Sequence, residues 1–284
     1  MNDGIILIDK KEGLTSRNVD NAIGYRFNTK KVGHLGTLDP FATGLLVLGI
    51  NKGTKYLQYL DDSRKTYVAT LKLGIKTSTG DPEGEILEKE SVPSISREKI
   101  EEVFSSFLGE GEQIPPMTSS IKINGVPLYK KAHKGEEIER KPRKIVIYSL
   151  KLIFFENDVI TFETEVSRGT YIRVLGEDIA KKLGSIGYLT SLRRIALGVF
   201  SISEAVSLDS LKDEDILNPA KYLVNFKSFE IEDEEDLADV YNGRMLYVGE
   251  DLGEKILITN KGNALAIYKK VQDTLTYKAE RGLF

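Results

Sequence analysis

The spacing of apolar positions divides the chain into alternating strand-like and helix-like stretches. IILID (5–9) is an unbroken apolar run short enough for a buried strand, and LLVLGI (45–50) repeats the pattern. Between them, Thr15 and Ser16 offer an N-cap, and Val19, Ile23 and Phe27 recur at four-residue spacing, which predicts a helix. GTKYLQYLDD (53–62) reads as a second helix. KTYVATLKLGI (65–75) alternates, with Tyr67, Ala69, Leu71 and Leu73 on one face of a strand. TSTGDPEGE is a turn cluster, and SREKIEEVFSSFLG (96–109) predicts a capped amphipathic helix closed by Gly109. KIVIYSLKLIFF and VITFETEV flank Glu156-Asn157-Asp158 as a β-hairpin would. SRGTYIRVLGEDIAKKLG then enters a helix, and YLTSLRRIALGVF reads as a further strand.

This order predicts an α+β body with a mixed or antiparallel central sheet flanked by helices and loops. Short mixed segments around 207–228, with Asn218-Pro219, read as a linker. Beyond it, EIEDEEDLADVYNGRML predicts a helix capped by Asn242-Gly243, followed by strands KILITN and ALAIYKK. The expected division is residues 1–225 and a small, mostly β unit over 226–284.

Composition narrows the classes of function. The 284 residues are 40% hydrophobic, enough for a sizeable core, and contain no run of about 18 apolar residues that would span a membrane. The four-residue run IILI, with acids on both sides, is no secretory signal, so the cytoplasm is the expected location. Cysteine is absent, which excludes disulfides, thiol catalysis and cysteine metal sites, and two histidines far apart argue against zinc. The net charge of −3 hides an asymmetry. Residues 209–284 carry 10 Lys/Arg against 16 Asp/Glu, whereas the preceding 208 carry 30 against 27. A local basic face on the body is therefore allowed, with Lys10, Lys11, Lys30, Lys31, Arg143 and Arg193 as candidates.

The stretch with the least regular composition is GHLGTLDPFATG (33–44), which holds one of the two histidines, an Asp-Pro and two threonines. Such residues make turns, and a loop aspartate often caps a helix. A nearby GINKGTK resembles a phosphate loop but lacks Gly-Lys-Ser/Thr where that motif needs it. The proline-rich EQIPPMTSSIKINGVPLY is irregular and suits a binding loop.

G-H-x-G-x-L-D-P-x-A-x-G resembles, in identity and spacing, the catalytic motif of the TruB family of pseudouridine synthases. GIILIDKKEGLTS, KTYVATLKLG, QIPPMTSSIKINGVPLYKKAHKG, SRGTYIRVLGEDIAKKLG and LTSLRRIALGVF resemble other segments of that family in order. DEEDLADVYNGRML resembles the opening helix of the small PUA RNA-binding domain that ends its members. The resemblance implies an isomerase that converts the T-loop uridine of tRNA to pseudouridine, with no cofactor or metal. The implied partner is the tRNA T-arm stem-loop, with no obligatory protein partner, no membrane, and a monomeric enzyme.

It further implies that Asp39 is the catalytic aspartate, acting at C1′ as a nucleophile or at the C2′ proton as a base. Arg173 would pair with Asp39 and keep it ionised. Tyr67 would stack on the extracted uracil, with Leu192 and Tyr171 lining the pocket. His34 would fill the gap left when the target base swings out. Four positions depart from the family pattern: Lys11 replaces proline, Thr118 tyrosine, Ser120 alanine and His133 arginine. Other readings are a tRNA-folding chaperone with secondary catalysis, a synthase directed by a separate guide RNA, and a sugar hydrolase. The hydrolase would need a second carboxylate; Asp81 is the nearby acid, and nothing in the spacing pairs it with Asp39.

Overall fold

The computed structural model describes residues 3–119, 121–123, 125–128, 131 and 135–284; Ser120 and His133 lie outside them. The chain opens with β1 (Gly4–Lys10) and α1 (Ser16–Arg26), then β2 (Val32–Leu35), β3 (Thr43–Ile50), β4 (Arg64–Leu73), β5 (Ile75–Thr77) and β6 (Ile86–Lys89). Helix α2 (Arg97–Ser105) leads to β7 (Gly109–Gln113) and the short β8 (Lys122–Ile123) and β9 (Val126–Pro127). The hairpin β10 (Arg143–Glu156) and β11 (Val159–Ser167), helix α3 (Ile172–Lys182), β12 (Gly187–Leu197) and β13 (Phe200–Ser201) complete the body. The last segment holds β14 (Lys227–Glu230), α4 (Glu234–Tyr241), β15 (Leu246–Tyr247), β16 (Lys255–Asn260), β17 (Asn263–Lys270) and β18 (Thr276–Gly282).

The central sheet runs β1-β3-β12-β4-β11-β10-β7, with β2 beside β3 and β13 beside β12. Its pairs are antiparallel except β12 with β3, where Arg193 faces Thr43 and Arg194 faces Gly44 in parallel register. It is therefore a mixed sheet, and the α+β expectation holds. The hairpin forms where expected, with Glu156 opposite Val159 and Asn157 in the left-handed region at φ 54.

Strands β1 and β3 read as continuous apolar runs because both of their faces are covered. Ile6, Ile8, Leu46 and Leu48 pack with Val19 and Ile23 of α1 in the main core. Ile5, Leu7, Leu45 and Val47 face the other way, into a second core shared with Leu257 and Ile267 of the C-terminal sheet and with Leu283 just beyond it. That sheet runs β14-β16-β17-β18-β15 and has its own core around Tyr268 and Tyr277.

Two expectations are corrected. GTKYLQYLDD forms two 3₁₀ turns, Asn51–Lys55 and Leu57–Tyr59, in place of an α-helix. The reason is close packing at Gly53, where an added Cβ would lie 1.7 Å from the Gly4 carbonyl oxygen. The glycines of GINKGTK thus let backbones approach and form no phosphate cradle. The 207–228 stretch is no free linker either. Leu217 exchanges backbone hydrogen bonds of 3.0 and 2.8 Å with Ile5, and Val206 does so with Leu7 and Asp9, closing the outer edge of β1. Gly53→Ala is expected to lower stability by about 2–3 kcal/mol through overpacking, read as the urea midpoint; an unchanged midpoint would mean that the two backbones can part freely.

Candidate active site

Residues 36–42 leave β2 and enter β3, and buried groups hold both flanks of this loop. Ser16 at the head of α1 donates to the Leu38 carbonyl at 3.1 Å and accepts from the Leu38 amide at 2.9 Å. Lys10 is fully buried and its ammonium donates to the carbonyls of Lys11, Leu14 and Pro40 at 3.1, 2.6 and 3.2 Å. Burial pulls the Lys10 ammonium down to about 8, with the Asp39 carboxylate the main opposing influence. Arg194, also fully buried, donates to the carbonyls of Leu45 (2.8 Å) and Gly36 (2.9 Å). Gly44 has φ +98, and a Cβ there would sit 2.3 Å from the Arg194 carbonyl oxygen, so only glycine lets β3 start against β12. Leu38 and Phe41 anchor in the main core, leaving Asp39 between them with 35% of its side chain open.

Arg173 reaches this carboxylate from the first turn of α3. Its side chain is 4% exposed, and its Nε lies 3.0 Å from Asp39 Oδ2. The opposite edge of the guanidinium is held just as fully. One terminal nitrogen meets Asp81 Oδ2 at 3.1 Å, the Thr79 carbonyl at 2.8 Å and the Thr118 hydroxyl at 2.6 Å, and the other donates to the Thr118 carbonyl at 2.9 Å. A single buried cation thus bridges two acids. Loss of water in the site pushes the Asp39 carboxyl above its ordinary range; Arg173 pulls it down, and Asp81 pushes it up again. Arg173 therefore favours the ionised carboxylate against the opposing effect of burial.

Asp81, named from the sequence only as the nearby acid, meets Asp39 through Arg173, a link that the spacing missed. It sits in the TSTGDPEGE turn, which its own carboxylate organises by accepting from the Thr79 hydroxyl and from the Glu83 amide at 3.0 Å. Leu189 of β12 donates to the Gly80 carbonyl at 3.0 Å, which docks the turn on the sheet. Glu83 is exposed nearby, and its carboxyl is raised by desolvation and by the Asp81 and Asp39 charges. Gln113 was also missed. It is buried, accepts from the Tyr171 amide at 2.9 Å and donates to the Tyr171 carbonyl at 3.2 Å, fixing the entry to α3.

The other expected residues fall around this pair. Tyr67 on β4 and Leu192 on β12 share the main core with Leu38 and Phe41. Tyr171 directly precedes α3; its hydroxyl is raised mainly by burial, and the charges of Asp39 and Arg173 reach it. His34 on β2 is held elsewhere: its Nδ1 is 3.0 Å from both carboxylate oxygens of buried Asp20, and its Nε2 is 3.3 Å from the Thr37 hydroxyl. Of the expected basic face, Lys10 is interior, Arg193 is paired with Asp9 at 2.9 and 2.7 Å, and Lys11 is paired with Asp209 at 2.6 Å. Lys30, Lys31 and Arg143 make no ion pair among the described residues.

Removing the bridging cation should leave two acids facing each other. Arg173→Met is expected to lower stability by about 3–5 kcal/mol at neutral pH, and by less in acid, where the carboxyls protonate. Asp39→Asn should match or exceed the wild-type melting temperature. The sign follows from the raised pKa: the folded state holds the Asp39 proton more tightly, so this group favours folding at low pH and loses that contribution as pH rises through its folded pKa. Thermal melts of both variants across pH check this, and a lower melting temperature for Asp39→Asn would contradict it.

Residues 25–172 match the TruB family pseudouridylate synthase N-terminal domain. A tRNA pseudouridine synthase B of Hydrogenovibrio crunogenus is 48% identical over 221 residues, covering 78% of this chain and 72% of that protein. The protein of the same name from Francisella philomiragia is 49% identical over 212 residues, covering 74% and 70%. That of Francisella tularensis is 43% identical over 246 residues, covering 84% and 82%. Among solved structures, a Cbf5-Nop10-Gar1 complex superposes with a TM-score of 0.75 over 99% of this chain and 85% of that chain, at 24% identity. An H/ACA RNP bound to a substrate RNA containing 2′-deoxyuridine gives 0.74 over 100% and 86%, at 22%. These two establish a common fold. The domain match spans the Asp39 loop and extends to α3, and the relatives cover most of both lengths: the chain belongs to the TruB family of pseudouridylate synthases.

Proposed function

We propose that this protein is a tRNA pseudouridine synthase that isomerises the T-loop uridine. The observation that carries the reading is the Arg173 bridge to Asp39, beside a loop whose backbone is held on both flanks. In this reaction the N1–C1′ bond breaks and C5 joins C1′; the proton leaves C5 and one is taken up at N1. No electrons are transferred to or from the substrate.

Asp39 acts at the sugar, either attacking C1′ or taking the C2′ proton; both routes require the ionised carboxylate. Arg173 orients that carboxylate, and Asp81 and Thr118 in turn orient Arg173. Tyr67 stacks on the extracted uracil, while Leu192 and Tyr171 close the pocket so that the detached base turns without escaping. His34, gripped by Asp20, fills the space the base leaves in the RNA and offsets part of the few kcal/mol that extraction costs. The RNA is read as a folded T-arm hairpin, by shape and phosphate contacts. Residues 1–225 form the catalytic domain and 226–284 a small PUA-like RNA-binding domain. The enzyme works in the cytoplasm as a monomer, without a protein partner or cofactor.

Purified protein incubated alone with an unmodified T-arm transcript should form pseudouridine at the T-loop uridine, read by base-resolved mapping. Asp39→Asn is expected to bind the hairpin but lose at least about 10²-fold in release of the C5 proton. Turnover by that variant within tenfold of wild type would overturn the assignment. His34→Ala should lose far less than Asp39→Asn, and equal losses would place His34 in the bond chemistry. The single-turnover rate should rise with pH along a limb above the ordinary aspartate value of about 3.9, because the carboxyl that must be ionised is raised in this site. A limb at the ordinary value would remove Asp39 from that role.

A further inference from the structure

Away from the Asp39–Arg173 pair, the same loop borders two positive charges, Arg194 and Lys65, that form no ion pair among the described residues. Arg194 is fully buried; two of its nitrogens serve the Leu45 and Gly36 carbonyls, and the third, Nη1, has no hydrogen-bond partner among the described residues. A Cβ placed on Gly36 would lie 3.2 Å from this Nη1 and 3.6 Å from the Cε of Lys65, so the two cations meet over the bare face of that glycine. The ammonium of Lys65, half-buried near the start of β4, makes no hydrogen bond or ion pair with any described residue. The carboxylate that most favours its charge is Asp62, which Arg168 already engages at 3.1 Å. Burial and the Arg194 charge both pull the Lys65 ammonium down, against the opposing charge of Asp62, as expected for a cation in a partly dehydrated place. Such a conflict costs stability, and proteins retain one where a ligand resolves it.

The position indicates the ligand. Lys65 and Tyr67 stand two residues apart on the same face of β4, about 6.8 Å along the strand. Arg194 lies directly opposite Tyr67 in the register of β12 and β4. The cations therefore sit one strand step from the ring assigned to the extracted base, on the scale that separates a pyrimidine from its own phosphate. We propose that Lys65, backed by Arg194, forms a subsite for a phosphate flanking the flipped uridine; this rests on the functional reading above. Lys65 Nζ donates to a non-bridging oxygen. Arg194 stays beneath, supplying the second positive charge while tying Gly36 and β3 together.

The test measures binding of the T-arm hairpin by wild type, Lys65→Gln and Lys65→Arg over a range of salt concentrations. Hairpins with a neutral methylphosphonate on the 5′ or the 3′ side of the target uridine are compared with the unmodified one. Lys65→Gln should bind about tenfold more weakly and flatten the slope of log K against log salt by about one, and Lys65→Arg should restore most of both. One of the two methylphosphonates should weaken wild type by a similar factor and leave Lys65→Gln unaffected. The Lys65→Gln protein should melt no lower than wild type, since it loses a charge that burial disfavours. Unchanged affinity and slope, losses from variant and methylphosphonate that multiply, or a lowered melting temperature would each overturn the subsite. Failure of wild type to form pseudouridine in the same hairpin would strike the functional reading instead, because the binding comparison does not depend on turnover.

Discussion

The site depends on one guanidinium placed between two carboxylates with almost no water around it. A buried arginine with no acid beside it is untenable; Arg173 meets buried Asp81 on one side and the partly open Asp39 carboxylate on the other. Three separate pieces of chain must therefore arrive together: the loop after β2, the turn after β5 and the first turn of α3. Each is fixed by groups with no other evident task. Ser16 and Lys10 hold the loop, Thr79 and the Glu83 amide shape the turn, and Gln113 clamps the backbone at Tyr171. The Asp39 carboxylate is disfavoured electrostatically by burial and by Asp81, while its support is firmly hydrogen-bonded.

Much of the scaffold was legible because its strands obey simple periodicities. The alternation of Tyr67, Ala69, Leu71 and Leu73 predicted β4, and Asn157 marked the hairpin. Short strands were not legible. GEGEQ of β7 has little β preference and becomes a strand only because Ile145 and its neighbours in β10 offer a ladder. The GTKYLQYLDD stretch carried a helical pattern, but contact between the backbones of Gly53 and Gly4 overrode it.

The site itself was legible through its motifs more than through physics. Asp39 and Arg173 lie far apart in sequence, and no periodicity joins them; their identification came from resemblance. Asp81 stood out only as the nearby acid, since an aspartate among threonine, glycine and proline reads as a turn former, and it is one as well; no spacing shows its link to Asp39 through Arg173. Lys10 was misread because lysines are usually solvated, whereas here three carbonyl oxygens replace the water. Which polar residues turn inward is decided by long-range packing, and a single chain of letters carries little trace of it.

The second core has a mechanical consequence. Leu45 and Val47 immediately follow the Asp39 loop, and on their outer side they meet Leu257, Ile267 and Leu283. The C-terminal sheet is thus bolted to the strand that follows the Asp39 loop. Any load on that sheet would pass through this joint to the loop before β3, as through a single chassis.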